Sequence, residues 1–136
     1  MAKYSTRSND KLKTCHIDLQ TIFNEVVKYF DNSILEGYRG EEKQNDAYDK
    51  GLSKLKYPQS KHNKQPSMAV DSAPYPIDWN DTKRFYYYGG FVKGMAQRLL
   101  SENKITHKVR WGGDWDSDTK VNDQSFMDLP HFELIK

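Results

Sequence analysis

The sequence has one cysteine, no long apolar run and almost no excess of charge of either sign. Each shortage excludes something. A lone Cys15 cannot form an internal disulfide, so the chain does not demand an oxidising compartment. A half-buried thiol without a role is the expectation for it, ahead of a nucleophile. No apolar run approaches the roughly 20 residues of a membrane span, so no membrane insertion is expected. The N-terminus, Met1-Ala2-Lys3-Tyr4-Ser5-Thr6-Arg7, is basic, but the apolar stretch of a signal peptide does not follow it. If the substrate lies outside the cytoplasm, something else must release the protein. The net charge of +2 gives mild attraction to anionic surfaces and no nucleic-acid footprint. Lys54, Lys56, Lys61 and Lys64 do cluster. A solvated loop face explains them, with attraction to an anionic polymer as the alternative.

What is present points to a folded chain. Aromatic residues make up 13% of the 136 residues, more than disordered chains carry. The length fits one domain, 1–136, with residues 1–8 as a flexible tail. Apolar residues recur at helical spacing from Leu12 to Phe30, which predicts an amphipathic helix packed on a sheet. His16 near its start reads as a surface histidine, since no second ligand-type pattern accompanies it. Ser33–Tyr38 predicts a short strand, and Glu41–Leu55 a mostly exposed helix weakened by Gly51. Met68–Ala73 predicts a strand, and a reversal around Pro66-Ser67 brings His62 beside Asp71. Asp81–Leu100 predicts a helix in which Gly89, Gly90 and Gly94 permit close packing on the sheet. Tyr86, Tyr87 and Tyr88 point three ways on that helix, which fits core and surface packing better than base stacking. Ile105–Trp111 predicts a strand, and so does the segment from His131 onward.

Two stretches carry the chemistry. Ser60-Lys61-His62 through Asp71 and Asp128-Leu129-Pro130-His131 together offer two imidazoles and two carboxylates. A catalytic zinc takes three nitrogen or oxygen ligands and keeps one open position. His62, Asp71 and His131 can be the three, with Asp128 as the base. Arg39 can bind a substrate carboxylate or a developing oxyanion. Each residue alone has an ordinary alternative: a surface histidine, or an aspartate that caps a turn. A third cluster, Asp114, Asp116 and Asp118, is similar to the opening of a calcium loop. Thr119 stands where such a loop needs glycine and Ser125 where it needs glutamate, so a solvated acidic loop is the alternative.

The residues also resemble a known family. Ser60-x-His62, Ala69-Val70-Asp71 and Asp128-x-Pro130-His131-Phe132-Glu133 resemble the zinc D-Ala-D-Ala carboxypeptidases, D-Ala-D-Ala dipeptidases and phage L-alanyl-D-glutamate endolysins. Glu36-Gly37-Tyr38-Arg39 with Gln44, and Arg110-Trp111-Gly112-Gly113-Asp114-Trp115, belong to the same resemblance. It implies a small α+β domain, a central antiparallel sheet with helices on one side, as in D-Ala-D-Ala peptidases and hedgehog-like proteins. It implies zinc on His62, Asp71 and His131, Asp128 as catalytic acid and base, Arg39 as substrate-binding residue and Ser60 in support. The interval from His62 to Asp71 is longer than many members have, which resembles a phage-type variant.

The function implied is a phage endolysin, a monomeric zinc peptidase that cuts the L-Ala-D-Glu bond of the peptidoglycan stem. It would be made in the host cytoplasm and reach the wall after the membrane is permeabilised. D-Ala-D-Ala carboxypeptidase or dipeptidase activity is the nearest alternative. A non-catalytic zinc-binding or wall-binding module is the alternative from another class. Calcium at Asp114, Asp116 and Asp118 is a further, weaker expectation.

Overall fold

The computed structural model describes residues 2–122 and 127–136. Ser125, which stands where a calcium loop needs glutamate, lies outside the described residues. The fold is α+β. Helices α1 (Thr6–Leu12) and α2 (Ile17–Val26) come first, then strand β1 (Asn32–Glu36) and helix α3 (Glu41–Asp49). A 3-10 turn (Lys61–Asn63) precedes β2 (Ala69–Pro74), the long helix α4 (Thr82–Ser101), β3 (Lys108–Trp111) and β4 (His131–Ile135). The sheet order is β1-β2-β4-β3, with every neighbouring pair antiparallel.

Strand alternation separates core from site. On β4, Phe132 and Leu134 are fully buried, with Phe132 edge-on to Phe23 of α2 and Tyr88 of α4. Their neighbours His131 and Glu133 project to the other face. The helices supply matching stripes: Leu19, Ile22, Phe23 and Val26 on α2, and Phe85, Tyr88, Val92, Ala96 and Leu99 on α4. The Tyr88 hydroxyl meets the Ser72 hydroxyl at 2.6 Å, so this buried ring brings its polar end to a partner on β2. Tyr87 is exposed and Tyr88 buried, in keeping with packing rather than stacking roles.

Several sequence expectations change. Of the helix expected from Leu12 to Phe30, Ile17–Val26 forms as α2, while Leu12 closes α1 and the chain breaks between Lys13 and His16. Tertiary pairing takes the backbone there: Ser67 N donates to Thr14 O at 2.9 Å, and His16 N donates to Ser67 O at 2.8 Å. The expected tail is ordered from Tyr4. Ser5 caps α1, Ser8 is buried, and the Tyr4 hydroxyl reaches Phe23 O and Asn32. Helix α3 stops at Asp49, well short of Leu55, because Gly51 takes a φ of 74° and the chain turns back on Ala47 and Tyr48. Cys15 is fully buried, and burial pushes its thiol pKa up to about 12.

Of the three helical glycines only Gly89 makes a close approach. A methyl there would overlap the Trp111 ring, whereas Gly90 and Gly94 face open space.

Candidate functional site

The site forms on the sheet face opposite α2 and α4. Asp71 of β2 and His131 of β4 are paired in register, so both side chains project to the same face. His62 arrives from the 3-10 turn. Ser60 caps that turn by accepting from His62 N, while Asn63 Oδ1 accepts from Ser60 N at 3.0 Å. Arg39 N then donates to His62 O at 2.7 Å, which ties the turn to the chain after β1.

The hydrogen bonds orient both imidazoles. His62 Nδ1 lies 2.7 Å from Gly37 O, a pure acceptor, so Nδ1 carries a proton and Nε2 faces Asp71 Oδ1 at 3.2 Å. His131 Nε2 donates to Glu133 Oε1 at 2.8 Å, and Nδ1 lies 3.3 Å from the same Asp71 Oδ1. The two rings stand edge-on, 5.2 Å apart. Asp71 Oδ2 takes Arg39 Nη2 at 3.4 Å.

This donor set fits a metal ion. Zinc holds nitrogen and oxygen ligands at about 2.0–2.1 Å, so two ligands of a tetrahedral site stand roughly 3.3 Å apart. Both nitrogen-to-Asp71 distances match that spacing. The three residues are also one of the groups whose ligand atoms all lie within 4.8 Å of one another.

Charge reinforces the arrangement. Burial would raise the Asp71 pKa, but His62 and His131 outweigh it and hold the carboxyl far below its usual range. Burial would lower His131, but Asp71 and Glu133 overcome it and lift the imidazole to about 9. Asp128 shifts the opposite way from Asp71 and Glu133. Burial, and then the charge of Asp71, raises it to about 6 against the pull of His131, His62 and Arg39. Its Oδ2 stands 4.0 Å from His131 Nδ1.

The turn that presents Asp128 closes on Gly112: Asp128 N donates to Gly112 O at 3.0 Å, and Gly112 N donates to His131 O at 2.9 Å. A side chain at Gly112 would strike the Asp128 backbone.

A cavity of about 760 Å³ opens over this face, lined by Arg39, Ser60, His62, Asp71, Asp128 and His131 among others. Arg39 is anchored by Gln44 Oε1 at 3.0 Å and Glu36 at 3.6 Å. Gln44 is itself fully buried, held by Leu55 O and Ser53. Ser60 is buried as a cap, and its hydroxyl accepts from the turn.

The structure thus brings Arg39, Ser60, His62, Asp71, Asp128 and His131 together. The sequence reading gave no role to Glu133, although it sits two residues after His131 on one strand face. Arg110 Nη2 holds Glu133 Oε2 at 2.6 Å from the paired position on β3. Asp114, Asp116 and Asp118 also converge. Their carboxylates accept backbone N–H groups of Asp118, Thr119 and Lys120. A third group, His16, Asp18 and His107, was not foreseen, because His107 comes from the far end of the sequence.

The crystal structure of the Serratia marcescens L-Ala D-Glu endopeptidase ChiX superposes with a TM-score of 0.67 at 24% identity, covering 98% of this chain and 90% of that one. At that identity the likeness establishes the fold. No curated protein matches the sequence. The model of the phage L-alanyl-D-glutamate peptidase family matches residues 1–135. With that match over nearly its whole length, the chain belongs to the phage L-alanyl-D-glutamate peptidase family.

Proposed function

We propose that this peptidase is a zinc-dependent endolysin that hydrolyses the L-alanyl-D-glutamate bond of the peptidoglycan stem and so lyses the host cell. The observation that carries the reading is Asp71 Oδ1, held at 3.2 and 3.3 Å from one nitrogen of His62 and one of His131, with Asp128 beside them. His62 Nε2, His131 Nδ1 and Asp71 would hold the ion. Zinc supplies Lewis acidity there, which lowers the pKa of water to about 7 and polarises a carbonyl.

The chain's own residues do the rest. Asp128 takes the proton from the attacking water and delivers it to the nitrogen of D-glutamate as the amide bond breaks. Its raised pKa, about 6, suits a group that must accept and then donate near neutrality. Arg39 keeps N–H donors beyond those it spends on Gln44 and Asp71, and these can meet a stem-peptide carboxylate. Glu133 and the Gly37 carbonyl hold the two rings in the required tautomers.

In this reading the enzyme acts as a monomer, is made in the host cytoplasm and reaches the wall after the membrane is permeabilised. A calcium ion at Asp114, Asp116 and Asp118 belongs to the same reading, since hard oxygen donors suit it.

Digestion of purified peptidoglycan, with the new N-terminus identified by mass spectrometry, tests the bond. New N-terminal D-glutamate supports the endopeptidase. Release of D-alanine alone would replace it with a D-Ala-D-Ala carboxypeptidase on the same site. Zinc binding with no cleavage would leave a wall-binding module. Elemental analysis before and after chelation tests both metals.

A further inference from the structure

His16, Asp18 and His107 repeat the donor set of the site across the sheet: two imidazoles and one carboxylate, with one ligand atom of each within 4.8 Å of the others. The His16 and His107 rings stand edge-on at 5.0 Å and 78°, close to the 5.2 Å and 66° of His62 and His131. Asp18 lies in the first turn of α2, and His107 lies just before β3. The group therefore joins two segments 89 residues apart.

Asp18 is anchored before any ion arrives. Its Oδ2 accepts from Thr106 N at 2.9 Å, Thr106 Oγ1 at 3.0 Å, His107 N at 3.1 Å and His107 Nδ1 at 2.7 Å. All four bonds end on one oxygen. The other, Oδ1, faces His16 Nδ1 at 4.0 Å, too far for a hydrogen bond and near enough for two ligands of one ion. The 2.7 and 4.0 Å separations lie on either side of the roughly 3.3 Å expected between ligands of a tetrahedral zinc. Asp18 is buried while both imidazoles are a quarter exposed, so an ion here would keep water in its remaining positions.

We propose that His16, Asp18 and His107 form a second divalent transition-metal site, separate from the peptidase centre, that clasps the start of α2 to the segment entering β3. Imidazole and carboxylate donors select zinc-type ions over calcium or magnesium. Binding through His107 Nδ1 moves the ring proton now donated to Asp18 onto the other ring nitrogen. It also exchanges the bond from Asp18 N to His16 Nδ1, which caps α2, for a metal bond. Because His16 N also donates to Ser67 O, the clasp reaches the loop that carries His62. The site does not rest on the peptidase reading, since it shares no ligand with it.

The test is zinc titration of the chelator-stripped full-length protein, in excess magnesium, against a chromophoric chelator. Wild type should take up two equivalents. His16→Asn preserves a side chain able to cap α2, and His107→Gln preserves a donor to Asp18. Each should weaken one equivalent at least tenfold and leave the other unchanged. Asp71→Asn should lose the other equivalent instead. In the Asp71→Asn protein, zinc should still raise Tm, and the rise should vanish when His107→Gln is added. A single equivalent in wild type that His16→Asn and His107→Gln leave undiminished would overturn the proposal, as would two undiminished equivalents in His16→Asn. A single wild-type equivalent that His107→Gln removes and Asp71→Asn leaves intact would count against the peptidase centre and leave this one standing.

Discussion

Asp71 and His131 face each other as register partners across β2 and β4, with Asp71 Oδ1 3.3 Å from His131 Nδ1. Antiparallel pairing fixes that proximity without help from any loop. His62 and Asp128 come from turns: His62 O accepts from Arg39 N, and Asp128 O accepts from His131 N. Two of the three proposed ligands therefore sit on paired strands, and the third on a capped turn.

Replacing the proposed base tests the assignment of roles. Asp128→Ala should retain zinc and lose about 10²–10⁴-fold in peptidoglycan cleavage, the usual weight of a general acid–base group. Turbidity clearing and metal content of the same preparation measure both. Wild-type clearing by the variant would remove Asp128 from the reaction.

The pH profile follows from the same residue. Asp128 must be ionised to accept a proton, and its pKa stands at about 6. Cleavage (kcat/KM) should fall tenfold per pH unit below about 6, or lower if a bound cation favours the carboxylate. A profile unchanged down to pH 4 would contradict this.

Metal affinity should climb with pH. His131 in the metal-free protein is lifted to about 9, so at neutrality an ion must displace its proton. Affinity measured against a competing chelator should rise up to about pH 9 and then level. The sign for stability runs the other way. A histidine raised above its unfolded value stabilises the metal-free protein fully below about 6.5 and loses that contribution as pH passes about 9. Thermal melts of the stripped protein across that window read the loss.

Glu133 orients His131 and is itself held by Arg110. Glu133→Gln keeps an acceptor but removes the charge, and should weaken zinc by about 10–100-fold, as for other carboxylates behind a ligand histidine. Unaltered affinity would show that the bond only packs the strand pair.

Two glycines of one helix should respond in opposite directions. Gly89→Ala forces a methyl into the Trp111 ring and should cost about 1–3 kcal/mol. Gly94→Ala meets nothing and should gain up to about 1 kcal/mol from helix propensity. Denaturant melts of the pair compare them directly.

Much of the fold was legible. The stripes of α2 and α4, the strand at Ala69–Pro74 and the alternation of β4 are local patterns, set by burying one face of a periodic element. The break at Lys13–His16 was not legible, because its cause is the distant Ser67, whose backbone takes the hydrogen bonds that would have continued the helix. Gly89 and Gly94 look alike in sequence, and only the position of Trp111 separates them.

By itself the sequence determined the kinds of donor and their spacing: His62, Asp71, Asp128 and His131 on two short segments, with Arg39 before them. Tertiary structure alone decided which nitrogen each ring presents, through Gly37 O behind His62 and Glu133 behind His131. It alone brought His107 to Asp18. Side-chain chemistry is written residue by residue, but a tautomer or a ligand set depends on which groups meet across the sheet, and long-range packing sets that.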